Sequence, residues 1–316
     1  MPHQRSLVAT LGPASLPFPE PIERAGASSF RLNGSHMSPG ALAQALETIR
    51  AVSSLPVVID LQGAKMRFGF FESREVRKGE AFTLARDPQR GEIPLPHPEI
   101  FQAARPGLTL SCDDDRIHLR IDEVDKDHLI VTSLADATLR SRKGVNVVEH
   151  PVHLEDLTVM DGEQIEVALG FEDISFACSF MRDGREAEWI RSRAPGTPLV
   201  GKVERAEAIE SLSSIAERVD AIWICRGDLG AQLGLVSMAR WVSSFRPLSL
   251  SVPTLIAGQV LEHLTHHANP TRSEVCHLHD LLQRGYAGVV LSDETAIGCD
   301  PVRATQTASE LIRGLV

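Results

Sequence analysis

Short apolar, mostly β-branched runs recur along the chain: SLVAT, SSFRLN, PVVID, DISFACSF, TPLVGKVE, AIWICRG, PTLIAG and GVVLSDE. Each is nearly continuous in apolar character rather than alternating, the pattern of parallel strands covered on both faces. Between the runs, ALAQALETIRAV, EQIEVALG, REAEWIRSR, RAEAIESLSSIAER, SEVCHLHDLLQRG and RATQTASELIRG place apolar residues at three- and four-residue spacing and read as helices. Strand-like runs alternating with helices predict an α/β fold, and eight such runs predict a TIM (β/α)8 barrel.

Residues 67–144 break this rhythm. FGFFESREVRKGEAFTL, GLTLSCDD, RIHLRIDEV and DHLIVTSL read as short alternating strands with turn residues between them, and no helix-period segment is evident. The expectation is a small all-β domain, a β-barrel lid, inserted after the third barrel strand. Residues 1–66 and 145–316 then make the TIM-barrel catalytic domain.

Composition narrows the partners. At 316 residues, 43% hydrophobic and 23% charged, the chain has the makeup of a folded globular protein. A formal net charge of -10 opposes a nucleic-acid or anionic-membrane partner, while a local basic cluster still suits a small anion. The five cysteines are scattered without CxxC pairing, so neither a disulfide framework nor a zinc site is expected. MPHQRSLVATLGPAS lacks the apolar run of a signal peptide and no stretch reaches membrane-span length, which reads as cytoplasmic. A homo-oligomer is left open.

In a parallel barrel, chemistry sits at the C-terminal ends of the strands. There the chain carries Thr10 and Gly12-Pro13-Ala14-Ser15, then Arg31, Asn33, Ser35 and His36, then Asp60 followed by Lys65 and Arg67. Later strands end in Lys202 with Glu204, Arg226 with Asp228, and Ser292 with Glu294. Lys202 and Glu204 are two apart on one strand, so their side chains share a face. Glu204 and Asp228, ending adjacent strands, suit a hard divalent cation, Mg²⁺ or Mn²⁺, that bridges phosphate oxygens. With Arg31, Arg67 and Lys202 as counter-charge, these parts suffice for phosphoryl transfer. Singly, each has an ordinary reading: K-x-E as a surface ion pair, RGD as a turn, Trp223 as core packing. The weight lies in their order along successive strands. His263, His266 and His267 read as loop and helix-end residues.

TLGPAS, RLNGSH, DLQGAKMRFG, RKGVNV, GKVERAEAI, CRGDLGAQL, AGQVLE, NPTRSEV and LSDETAIG resemble, in order, the motifs of pyruvate kinases. The resemblance covers nearly the whole chain. It implies phosphoryl transfer between phosphoenolpyruvate, or a related 2-phospho acid, and ADP or ATP. It makes Glu204 and Asp228 metal ligands and Lys202 the group that stabilises the moving phosphoryl. Arg31 and Arg67 become phosphate contacts, and Ser292 lies near the proton-transfer face. Gly227, Asp228, Gly258 and Lys65 would bind the acid, and Pro13, Asn33, His36 and Lys143 the nucleotide. Asp113 and Asp114 match the acidic tip of the family's lid.

The chain departs from the family at several positions. Asp60-Leu61 replaces aspartate-threonine, and Lys65 replaces a glutamate. A fixed ammonium there resembles the potassium-independent subgroup and would repel a monovalent cation, so no K⁺ requirement is expected. Gly258 stands where the family has a threonine: proton transfer would then run through water or Ser292, or the glycine makes room for a larger substituent. Asp293 replaces the glycine of SGETA and Asp115 that of the lid's DDG turn. The chain stops at Val316, so the family's C-terminal regulatory domain, with its sugar-phosphate control, is expected to be absent. A second reading is a Mg²⁺-dependent pyruvate-enolate lyase, an aldolase or oxaloacetate decarboxylase, on the same barrel. A third, an inactive binding partner, would expect losses at Lys202, Glu204 or Asp228, and all three are present.

Overall fold

In a computed structural model, which describes residues 5–113, 116–150 and 152–314, eight parallel strands close into a barrel. They are β1 Ser6–Leu11, β2 Ser29–Asn33, β3 Val57–Leu61, β4 Ile174–Cys178, β5 Leu199–Val203, β6 Ala221–Cys225, β7 Thr254–Ala257 and β8 Gly288–Leu291. Each pairs with the next in sequence and β8 closes on β1, so the expected TIM fold is what forms.

Strand parity sorts the side chains into two layers. Leu7, Ala9, Leu11, Phe30, Leu32, Ile59, Phe176, Ile222, Ile224 and Leu291 pack in one core with the surrounding helices. Val8, Val58, Ala177, Val200, Trp223, Cys225, Leu255, Ala257 and Val290 fill a second cluster inside the barrel. Trp223 is thus lumen packing, 2% exposed.

Helix starts follow local chemistry. Ser38 caps Pro39–Arg50, Thr158 and Asp161 form a capping box on Val159–Ala168, and Thr271 with Glu274 does the same for Arg272–Gln283. The segment read as one helix over RAEAIESLSSIAER is two, Ala206–Glu210 and Leu212–Ala216, broken at Ser211. Among the described residues, helices outside the periodic segments include Pro19–Arg24, Arg226–Leu233 and Leu235–Ser244. The second of these begins at the RGD triplet, which is a helix start rather than a turn. Its glycines at 227 and 230 weaken the helical signal in the sequence. Among the described residues no helix is long and apolar enough to cross a membrane.

The chain divides into two compact units, one running up to Gly63 and resuming at Leu157, the other spanning Ala64–Asp156. In the second, a six-stranded sheet runs in the order Val145–Val147, Thr109–Cys112, Ile117–Val124, His128–Ser133, Ala81–Ala85 and Ile93–Pro94. Arg74–Val76 and Ala137–Leu139 form a separate two-stranded ladder. Among the described residues these strands therefore form two sheets rather than a closed β-barrel. The unit is also not purely β, because Pro98–Ala103 is a helix that buries Ile100 and Phe101. With only six residues and proline at its start, that helix leaves too short a period to read. The unit reaches beyond 67–144 at both ends, since Val145–Val147 pairs with Thr109–Cys112 and Val145 N–H donates to Met66 O at 3.0 Å.

Candidate active site

The inward parity that carries Val8 and Val58 into the lumen continues to Thr10 and Asp60 near the strand ends, and Arg31 lies opposite Thr10 in register. Ser179 and Glu204, one residue past β4 and β5, extend the same parity from Ala177 and Lys202. These side chains join. The Arg31 guanidinium donates through Nε and Nη2 to Asp60 Oδ2 at 2.8 and 2.6 Å, and through Nη1 to Thr10 Oγ1 at 2.9 Å. Lys202 Nζ donates to the same Asp60 oxygen at 3.0 Å and to Ser179 Oγ at 2.8 Å. It also lies 3.0 Å from Glu204 Oε1, while Glu204 Oε2 accepts from Phe180 N at 2.7 Å. Ser179 Oγ reaches Asp60 Oδ1 at 3.0 Å and Leu61 O at 2.8 Å.

Two cations and two anions are thereby withdrawn from water together, which is tolerable only because each is paired and hydrogen-bonded. Burial alone would raise the Asp60 carboxyl, but the Lys202 ammonium and the Arg31 guanidinium hold it below its ordinary value. Burial likewise opposes charge on Lys202, yet Asp60 and Glu204 overcome it and raise the amine, so it remains an ammonium at neutral pH.

The remaining barrel ends carry backbone-rich loops. Asp228, half-buried, stands in the first turn of Arg226–Leu233 beside the exposed Gly227. Arg226 donates to Gly258 O at 3.0 and 2.7 Å and to Gln259 O at 2.7 Å, seating the loop after β7 on that turn. Gly258 has φ +80, and a Cβ there would stand 3.1 Å from Gly227 N and 3.4 Å from Arg226 N. A side chain at that point would therefore press on the backbone of residues 226–227. Ser292, half-buried, donates its N–H to Glu294 Oε2 at 2.6 Å. Glu294 is fully buried, and its other oxygen accepts from Val260 N and Leu261 N at 3.2 and 3.1 Å. Counted among the strand-end candidates, Glu294 instead binds the loops after β7 and β8 to one another.

After β2, Asn33 Oδ1 accepts from Ser35 N at 3.3 Å and starts the 3₁₀ turn Gly34–His36, with His36 exposed. After β1, Pro13 is exposed in a turn held by Gly12 N donating to Ser15 Oγ at 3.2 Å. Lys65, Arg67 and Lys143 belong to the Ala64–Asp156 unit. There Lys65 is buried, Arg67 donates to Arg142 O at 2.9 Å, and Lys143 Nζ pairs with Asp113 Oδ1 at 2.7 Å. Asp114 and Asp115 lie outside the described residues.

The structure thus gathers Arg31, Lys202 and Glu204 around Asp60. A model of the pyruvate kinase barrel domain matches residues 3–305, which takes in every one of these strand ends. The chain belongs to the pyruvate kinase family. The pyruvate kinase of Methylorubrum extorquens is 32% identical over 96% of this chain and 67% of its own length. A pyruvate kinase of Agrobacterium vitis is 33% identical over 97% of this chain and 67% of its own, and pyruvate kinase 2 of Synechocystis 28% over 98% and 56%. This chain therefore spans about two thirds of the first two relatives.

Against the family's motifs, strand-end reading gave Asp60 no role of its own and passed over Ser179. Ser179 closes DISFACSF, the fourth run, and the rule applied to the other strand ends would have found it.

Proposed function

We propose that this member of the pyruvate kinase family transfers a phosphoryl group between phosphoenolpyruvate, or a related 2-phospho acid, and ADP or ATP. The observation that carries the reading is the buried Lys202 ammonium, held charged between Asp60 and Glu204 at the barrel's strand ends. A fixed cation in a low-dielectric site, with no reorganisation left to do, is what a phosphoryl group in transfer needs. Arg31, oriented by Thr10 and Asp60, adds a second.

Glu204 and Asp228 offer the hard oxygen donors that Mg²⁺ or Mn²⁺ takes. Among the described residues no three His, Cys, Asp or Glu side chains cluster as a metal cage. That fits an ion held by one or two carboxylates, with water and substrate oxygens completing the shell. Bound there, the ion neutralises charge on phosphate oxygens. The N–H groups of Gly227 and Asp228 take the acid's carboxylate, with Gly258 beside them, and Ser292 lies by the proton-transfer face. Pro13, Asn33 and His36 contact the nucleotide. By the resemblance, the Ala64–Asp156 unit is the lid, Arg67 a phosphate contact, Lys143 a nucleotide-binding residue, and Lys65, beside the acid, stands in for K⁺. The substrates are small molecules met in the cytoplasm; the net charge of -10 keeps nucleic acid away. The relatives' names favour the kinase over the enolate lyase.

A coupled assay with Mg²⁺, ADP and phosphoenolpyruvate, with and without K⁺, tests this. Pyruvate formation independent of K⁺ is expected. No turnover, together with oxaloacetate decarboxylation, would move the assignment to the lyase. Lys202→Met should abolish transfer while Mn²⁺ binding persists, and an active variant would remove Lys202 from the mechanism.

A further inference from the structure

Helix Val159–Ala168 reaches under two strand-end loops at once. Its capping-box residue Asp161 is fully buried, and Asp161 Oδ1 accepts from Gln62 N, just past β3, at 2.8 Å. One helical turn on, Gln164 is also fully buried, and its side-chain amide donates both hydrogens into the turn after β2, to Gly34 O and Met37 O at 2.8 Å each. Residues three apart on a helix share a face, so a single face holds both loops.

The amide's orientation follows from its neighbours, since the flipped form would set its oxygen against two carbonyls. Its own Oε1 is buried without a hydrogen-bond partner in the structure, and a buried orphan of this kind is costly. A Cβ on Gly34 would stand 2.5 Å from that oxygen, so the turn and the amide are fitted to each other. The helix tolerates an unsatisfied acceptor in order to keep two donors on Gly34 and Met37. Those carbonyls bracket the 3₁₀ turn that Asn33 opens and His36 ends.

We propose that Gln164 is a positioning residue for the nucleotide: it fixes the Gly34–Met37 turn so that Asn33 and His36 meet the ADP phosphates. The proposal rests on the nucleotide reading given above. Its direct product is a rigid turn, and its functional product is selective for ADP over phosphoenolpyruvate, because the acid lies by Gly227 and Asp228, on loops that Gln164 does not bind.

The test uses Gln164→Met, which takes the amide's hydrogen bond from both carbonyls and leaves Gly34 O with the Met37 N–H at 3.0 Å, and Gln164→Glu, of equal size with acceptors where donors stood, in case the first fails to fold. Hydrogen exchange at the amides of residues 34–37 reads the turn, calorimetric titration with ADP reads binding, and steady-state kinetics read both substrates. Loss of two hydrogen bonds of about 1 kcal/mol each predicts faster exchange in that segment and a roughly tenfold or greater rise in Kd and KM for ADP. The KM for phosphoenolpyruvate should hold, and kcat at saturating ADP should fall less than the KM rises. Unchanged exchange, unchanged ADP affinity, or equal losses for both substrates would overturn the proposal. Wild-type protein that binds no ADP would overturn the nucleotide reading itself, and the exchange data would then still decide whether Gln164 holds the turn.

Discussion

Lys202 and Arg31 share one oxygen: Asp60 Oδ2 accepts from the Lys202 ammonium at 3.0 Å and from the Arg31 guanidinium at 2.6 Å. A single carboxylate therefore sets the spacing of two cations that would otherwise repel one another inside the barrel. Asp60→Asn keeps the shape and removes the charge. Breaking a buried ionic cluster on one side costs roughly 3–5 kcal/mol, and misplaced cations should lower kcat/KM by about a hundredfold or more. Denaturant melts and the coupled assay check both; a variant with wild-type midpoint and turnover would show that the cations hold their places without Asp60.

Ser179→Ala removes a hydroxyl that touches Lys202 and reaches Asp60 Oδ1. The ammonium keeps its ionic partners and loses a neutral one, about 1–2 kcal/mol, so kcat should drop roughly tenfold with the KM for phosphoenolpyruvate little changed. Ser179→Thr, which restores the hydroxyl, should recover part of the loss. Equal activity of the Ala variant and the wild type would make Ser179 a packing residue.

Gly258→Thr restores the family's residue type at a backbone with φ +80, where its Cβ would meet Gly227 N at 3.1 Å. A β-branched residue in the left-handed region costs about 1–3 kcal/mol, and relief of the contact would move Gly227 and Asp228. The expected result is lower thermal stability and a higher KM for phosphoenolpyruvate. A variant faster than wild type at unchanged stability would mean that the loop relaxes and the hydroxyl supplies the missing chemistry.

His97, in the Ala64–Asp156 unit, has Nε2 2.9 Å from Arg67 N and 3.0 Å from Arg67 O, and burial lowers its pKa to about 4 although the carbonyl favours the charged ring. Below the ordinary value of 6.5 the unfolded chain takes up a proton that the folded chain refuses, so the unfolded state binds more protons. Stability must then fall as the pH drops from about 6.5 towards 4, by roughly 3 kcal/mol in all, and this loss levels off below that. Urea melts across this range should show the slope in the wild type and a shallower one in His97→Asn. Parallel slopes would place the effect elsewhere.

What the chain determined by itself is whatever depends on neighbours in sequence. Continuous apolar runs and three- to four-residue periods defined the barrel, and parity put Lys202 and Glu204 on one face, where they are now 3.0 Å apart. The short helix Pro98–Ala103 and the glycine-bearing Arg226–Leu233 escaped that reading because their local signal is weak and burial supplies their stability. Only the closed barrel could decide that Asp60, 142 residues from Lys202, would take both cations, or that Gln164 would reach Gly34 across 130. Strand register and helix docking set those meetings, and neither is written in any local pattern. A side chain's type announces what it can bind, whereas its partner is chosen by the geometry of closure.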